Sequence, residues 1–179
     1  MTNKEVKQQR RTVGSIVKVP LEEGFHTYAR ILRGTSYAFY DCRTKDDLDN
    51  LSKIISTPVL FIISVQNFAI TRGRWLKVGK VPLEESLLVE PPRFAQDALN
   101  PEIFEIVENG KRRKATMEEC IGLERLSVWQ PGAVERRLLE HYKGQKSDWL
   151  LQIIDPRKRK KNPKNTERLQ AYLKDALEV

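Results

Sequence analysis

Seven consecutive residues, Val59-Leu60-Phe61-Ile62-Ile63-Ser64-Val65, hold a single polar side chain. The run is too short to span a bilayer, which takes about 20 apolar residues. It is rich in β-branched residues and reads as a buried central strand. The chemistry then changes at Arg72-Gly73-Arg74-Trp75. Gly73 can take backbone angles that other residues avoid, so the chain is expected to turn there. Two guanidiniums and an indole flank that turn. Trp75 is the natural anchor between a strand scaffold and whatever the arginines face.

The flanking sequence alternates short apolar runs with turn residues. Ser15 to Pro20, Phe25 to Leu32 and Tyr37 to Tyr40 read as three strands, punctuated by Glu22-Glu23-Gly24 and Gly34. This opening predicts a strongly bent antiparallel sheet or a small barrel. Thr44, with Asp47 three residues on, is expected to cap a helix carrying Leu48, Leu51, Ile54 and Ile55. Thr57-Pro58 ends it. Gly79, Pro82, Pro91 and Pro92 mark a loop-rich crossing. Phe94 to Asp97 and Ile103 to Val107 read as strands, the second forming a hairpin through Asn109-Gly110 with the basic strand Lys111 to Lys114. Thr116 and Glu119 form a capping-box pattern. Leu123 to Trp129 fits either strand or helix. Pro131 opens the clearest helix, with Val134, Leu138, Leu139 and Tyr142 on one face and Gly144 as its stop. Ser147 to Ile154 reads as a last short helix or strand. The expected class is α+β, a bent sheet or small barrel with helices packed on one side, in one domain over residues 14–154.

The charge sits mostly outside that domain. Residues 1–13 carry +3 and residues 155–179 carry +4 of the chain's net +8, leaving +1 for residues 14–154. A near-neutral domain argues against the fold itself being a nucleic-acid binder. Residues 1–13 lack periodicity and are expected to be unstructured. Arg157 to Lys161 is a five-residue basic run followed by Pro163, read as an exposed linker over residues 155–165. Beyond it, in 166–179, Leu169, Tyr172, Leu173, Ala176 and Leu177 repeat at helical spacing. About 13 residues make a marginal helix in water. That stripe is therefore expected to dock on its own domain, a sister subunit or a partner. The two cysteines, Cys42 and Cys120, make no disulfide framework. The first residues lack a signal-peptide pattern, no stretch suits a membrane helix, and a cytoplasmic location is expected.

No catalytic set stands out. His26 and His141 lie far apart and in no metal-ligand spacing. Neither a nucleophile elbow nor a phosphate-binding loop occurs, so no catalytic residue, metal or cofactor is expected. The residues suited to partner contact are Arg72, Arg74 and Trp75, since arginine and tryptophan join large area to directed donors. The alternative for Trp75 is a core plug, with the arginines solvated. Asp41 and Arg43 could pair at a strand end, for recognition or for structure. Glu124 beside Arg125 has the same ambiguity.

Several pieces in order resemble one family. They are Val13-Gly14-Ser15-Ile16-Val17, Phe39-Tyr40-Asp41-Cys42-Arg43, and Arg72-Gly73-Arg74-Trp75 with Gly79 and Pro82-Leu83-Glu84. To these add Pro92-Arg93-Phe94-Ala95-Gln96-Asp97, Gly122-Leu123-Glu124-Arg125 with Val128-Trp129, and Val134-Glu135 to His141-Tyr142. Over about residues 13 to 150 the chain is similar to the immunity protein 26 family of bacterial polymorphic toxin systems. Leu76 and Ala98 stand where the family pattern has proline. The resemblance adds Arg93 and Asp97 to the candidate contact residues. It implies a protein that binds a cognate toxin, often a nuclease, and blocks it without catalysis. A nucleic-acid mimic would want an acidic face, which Asp46, Asp47 and Asp49 or Glu84 and Glu85 could supply. The competing reading is a small-barrel nucleic-acid-binding module or regulator that uses its basic ends.

Overall fold

A computed structural model describes residues 8–145 of the chain. Among these residues the class is α+β, with ten strands in two sheets and four α-helices. The first sheet holds β1 (Ser15–Pro20), β2 (His26–Ile31), β3 (Ser36–Tyr40), β4 (Val59–Val65), β5 (Leu76–Lys80) and β10 (Val128–Trp129), in the order β10-β4-β3-β2-β1-β5. The second holds β6 (Arg93–Gln96), β7 (Phe104–Glu108), β8 (Lys111–Ala115) and β9 (Glu124–Arg125), in the order β8-β7-β6-β9. Pairing is antiparallel except for β10 with β4 and β9 with β6. Both sheets are open, so the barrel alternative does not hold.

The strands covered throughout are β2 and β3, in which every residue is buried. That requires cover on both faces. On one face Val17, Ala29, Ile31, Tyr37, Phe39, Ile63 and Val65 pack with Trp75, with Ala69 and Ile70 of α2 (Phe68–Thr71), and with Val134 and Leu138 of α4 (Pro131–Tyr142). On the other, Ile16, Tyr28 and Tyr40 meet Ile54 of α1 (Leu51–Ile55). The helices expected on one side thus flank both. The apolar run of β4 lies one strand further out. Its partner β10 reaches only Ser64 and Val65, and Val59 at its start is exposed.

Local signals held where no tertiary bond competed. Asn109 and Gly110 both take positive φ (50° and 74°), the two-residue turn between β7 and β8. Thr116 and Glu119 form the capping box of α3 (Met117–Cys120). The helix expected from Thr44 starts later. Thr44 instead exchanges backbone hydrogen bonds with His26 at 2.9 Å each way, and the Leu48 N–H donates to the Tyr28 hydroxyl at 2.9 Å. Asn50 caps α1 through Ser52 N–H. Tertiary partners outbid a weak local preference there.

The N-terminal arm is tied down from Gln9 onward, unlike the unstructured stretch expected to residue 13. Gln9 closes the open edge of β5. Its amide accepts from Lys77 N–H (2.8 Å) and donates to the Trp75 carbonyl (3.0 Å). Arg11 donates to the carbonyl of Leu32 (2.7 Å) and lies over the Tyr37 ring at 5.2 Å. The elements expected at Ser147 to Ile154, the Arg157–Lys161 run and the stripe Leu169 to Leu177 lie outside the described residues. No helix among the described residues is long and apolar enough to cross a membrane.

One buried base makes this fold sensitive to pH. His26 is almost fully covered, 3.1 Å from the Tyr28 hydroxyl, and Lys18 lies nearby. Burial, and then the Lys18 charge, hold its imidazole below the usual value of 6.5. The unfolded chain then takes up this proton first as pH falls. The stabilisation is complete above 6.5 and is lost progressively below it, toward the folded-state value. Thermal unfolding from about pH 7.5 to pH 5 should show a falling melting temperature in the wild type and a flatter profile in His26→Gln. Equal slopes would remove His26 as the cause.

Candidate functional site

The turn at Gly73 is built as the sequence suggests, with φ of 67° and its N–H donating to Ile70 O at 2.9 Å. It drives Trp75 inward. The indole is 0% exposed and meets Tyr37 and Phe39 edge-on, with centroids at 5.7 and 5.8 Å. Its Nε1 donates to Glu135 of α4 at 2.8 Å, and the same carboxylate accepts the Arg74 Nε at 2.7 Å. Trp75 is therefore a core plug, and Arg74 is committed to Glu135. Among the described residues, Arg72 alone of this trio is unengaged by a carboxylate. Its guanidinium sits 5.2 Å over Phe68 and lines an open cleft of about 530 Å³ between Gln8 to Arg11 and the Asn67–Thr71 segment.

Arg93 and Glu124 join the two sheets. Arg93, on β6, is only 3% exposed. Its two terminal nitrogens donate to Ser64 Oγ (2.6 Å) and Ser36 Oγ (2.9 Å), which face each other across β4 and β3. Ser36 in turn donates to Glu90 at 2.6 Å. Glu124, paired with Arg93 in the β9–β6 register, accepts both terminal nitrogens of Arg137 from α4. The Arg137 guanidinium lies 3.9 Å over Phe61. These arginines are internal bolts.

The remaining candidates lie outside. Asp41 and Arg43 are both exposed, but they do not pair. Arg43 stacks at 3.7 Å over Phe25 instead. Asp97 caps its own loop, accepting from Leu99 N–H (2.8 Å) and Asn100 N–H (2.7 Å), and those bonds hold its carboxyl below the usual range. Among the acidic residues, Asp47 is bonded to Lys18, while Asp46, Asp49 and Glu85 are exposed. Among the described residues no three His, Cys, Asp or Glu side chains converge in a metal-binding group.

The structure thus gathers Arg74 and Trp75 at Glu135, and Arg93 and Glu124 at the sheet junction. Arg72, Asp41 and Arg43 remain apart at the surface. Sequence reasoning missed Glu135 and Arg137 as partners, because each sits among other charges on a helix and only the fold shows what it faces. It also missed Ser36 and Ser64, whose hydroxyls give no signal in isolation.

A family model described as Immunity protein 26 matches residues 12–105. That span runs from the N-terminal arm into β7 and takes in Arg72, Trp75 and Arg93. No curated protein and no solved structure matches the chain.

The geometry separates the candidates by stability. Trp75→Ala should cost about 3–5 kcal/mol in urea unfolding, the range for a large core truncation. Arg74 is 48% exposed, so Arg74→Ala should cost no more than about 1 kcal/mol. A Trp75→Ala variant that unfolds with the wild type would refute the core role.

Arg93→Ala should cost about 2–3 kcal/mol, because it strips buried hydroxyls of a charged donor. Arg72→Ala should leave the unfolding midpoint in place. Equal midpoints for these two variants would show that Arg93 does not bolt the sheets.

Proposed function

The chain belongs to the immunity protein 26 family, and on that premise we propose that it binds and neutralises a cognate bacterial toxin, stoichiometrically and without catalysis. The family match carries this reading. It agrees with a sequence that offers no nucleophile, base or phosphate loop in a recognisable spacing. The toxin is proposed to be a nuclease met in the cytoplasm. Residues 14–154 carry only +1, so a general acidic decoy is a poor description of this domain. The nuclease would be held by shape and a few charged contacts, or blocked away from its nucleic-acid cleft. Arg72, Arg43 and Asp41 are the candidate contacts at the surface that neither pair with a charge nor cap a loop among the described residues.

Co-expression with its cognate toxin domain tests the proposal. Growth should be restored, and the two proteins should co-elute as an equimolar complex. Arg72→Glu combined with Arg43→Glu should weaken binding by about tenfold or more, or 1.4 kcal/mol, with little change in melting temperature. Toxicity that persists at full expression of a folded protein, with no complex formed, would overturn it.

A further inference from the structure

We infer that the outer edge of β8 is a docking edge for an extended, acidic segment of the toxin; this deepens the immunity reading and rests on it. β8 ends the second sheet, and among the described residues no strand lies beyond it. The turn at Asn109-Gly110 fixes which backbone groups are free. In a two-residue hairpin the flanking pair, Glu108 and Lys111, is the hydrogen-bonded one. Alternation then turns Arg113 and Ala115 toward β7, and Arg112 and Lys114 toward the open side. Neither Arg112 nor Lys114 makes a backbone bond to another described segment. The one side-chain contact there, Arg113 Nη1 to Lys114 O, is long at 3.4 Å.

The side chains select what can pair. Lys111, Arg112, Arg113 and Lys114 are all exposed. Arg112 is held by Glu105 (2.9 Å) and Arg113 by Glu119 (2.7 Å), while Lys111 and Lys114 have no ion pair among the described residues. Charged edges of this kind repel a second copy and other basic strands. An incoming strand with carboxylates at alternate positions would present them to one face, where they meet Lys114 beside Arg112, and would add backbone bonds at Arg112 and Lys114. Nucleic acid fits less well. The single aromatic in residues 102–119, Phe104, is buried, so bases would have nothing to stack on, and the free backbone groups of the edge match a strand rather than a phosphate chain. β8 also lies beyond the matched span, which ends at residue 105.

Amide hydrogen exchange on the full chain tests this directly. The probes are a short peptide alternating Glu and Val, its Lys counterpart, a duplex RNA, and the cognate toxin domain. The acidic peptide and the toxin should each slow exchange at Arg112 and Lys114 by about tenfold or more, while the Lys peptide and the RNA should not. Lys114→Pro removes an outward N–H and keeps the ladder to β7. It should weaken toxin binding about tenfold or more at unchanged melting temperature, and Lys114→Arg should retain binding. A toxin complex that forms with wild-type affinity in Lys114→Pro, without protection at these amides, overturns the edge and leaves the immunity reading standing. Protection by the acidic peptide with no toxin complex at all overturns the toxin as occupant and the immunity reading with it. Protection by RNA alone overturns the acidic strand in favour of nucleic acid.

Discussion

The Glu135 carboxylate holds the first sheet's core closed. It receives the Trp75 indole N–H and the Arg74 guanidinium, and so ties α4 to the turn that ends α2. Trp75 is the largest fully buried side chain and its nitrogen needs an acceptor. Without Glu135 the donor would be stranded, and α4, which contributes Val134 and Leu138, would lose its anchor at one end. The other end is fixed by Tyr142, whose hydroxyl reaches Cys42 N–H and the Tyr40 carbonyl. The helix is thereby strapped across one face of β2 and β3, while α1 and the crossing after β5 cover the other.

Burial on both faces also explains an arginine inside the sheet. Arg30 is 0% exposed on β2 and faces the side opposite Trp75. It donates to the carbonyls of Val81 (2.8 Å) and Pro82 (2.6 Å), drawing the crossing after β5 onto the second face. Glu84 lies 3.9 Å away. The Tyr40 hydroxyl, in the same buried region, has its pKa pushed up to about 12 by burial, with Glu84 adding to the effect. Arg30, Arg93 and Arg137 thus share one use: each long side chain spans a gap between layers and satisfies backbone or polar groups that a small apolar core could not reach.

Much of this was legible in the sequence, for identifiable reasons. The strands from Ser15 to Tyr40, the hairpin at Asn109-Gly110, the Thr116 capping box and the Pro131 helix depend on neighbours within a few residues. The loop after Thr44 does not. Its capping pattern yields to hydrogen bonds from His26 and Tyr28, which the local sequence cannot announce. The candidate contacts divide the same way. Arginine and tryptophan together are a fair sign of recognition, yet the same chemistry serves a core with few apolar residues to spare. Trp75, Arg74, Arg93 and Glu124 are engaged inside the fold, by partners on other elements 13 or more residues away in sequence. Asp41, Arg43 and Arg72 are exposed, and among the described residues none of them has an ion pair.

The matched family span and the folded unit have different limits. The match ends at residue 105, inside β7. The core it contains is incomplete without Trp129, Val134 and Leu138, and Arg93 stands in register beside Glu124 on β9. Residues 106–145 therefore cannot be an appendage, since removing them would expose one face of the first sheet and leave Trp75 without its acceptor. They meet two demands of different strictness. Their inward residues must fit a fixed cavity, whereas the outward ones, such as Lys111 to Lys114, are restrained only by solubility and pairing. A partner-specific surface is most easily changed where the fold asks least of the side chains. In this chain that condition is met along β8 and in the exposed loop around Asp41 and Arg43, while the Arg74-Trp75 step is held in place by the core beneath it.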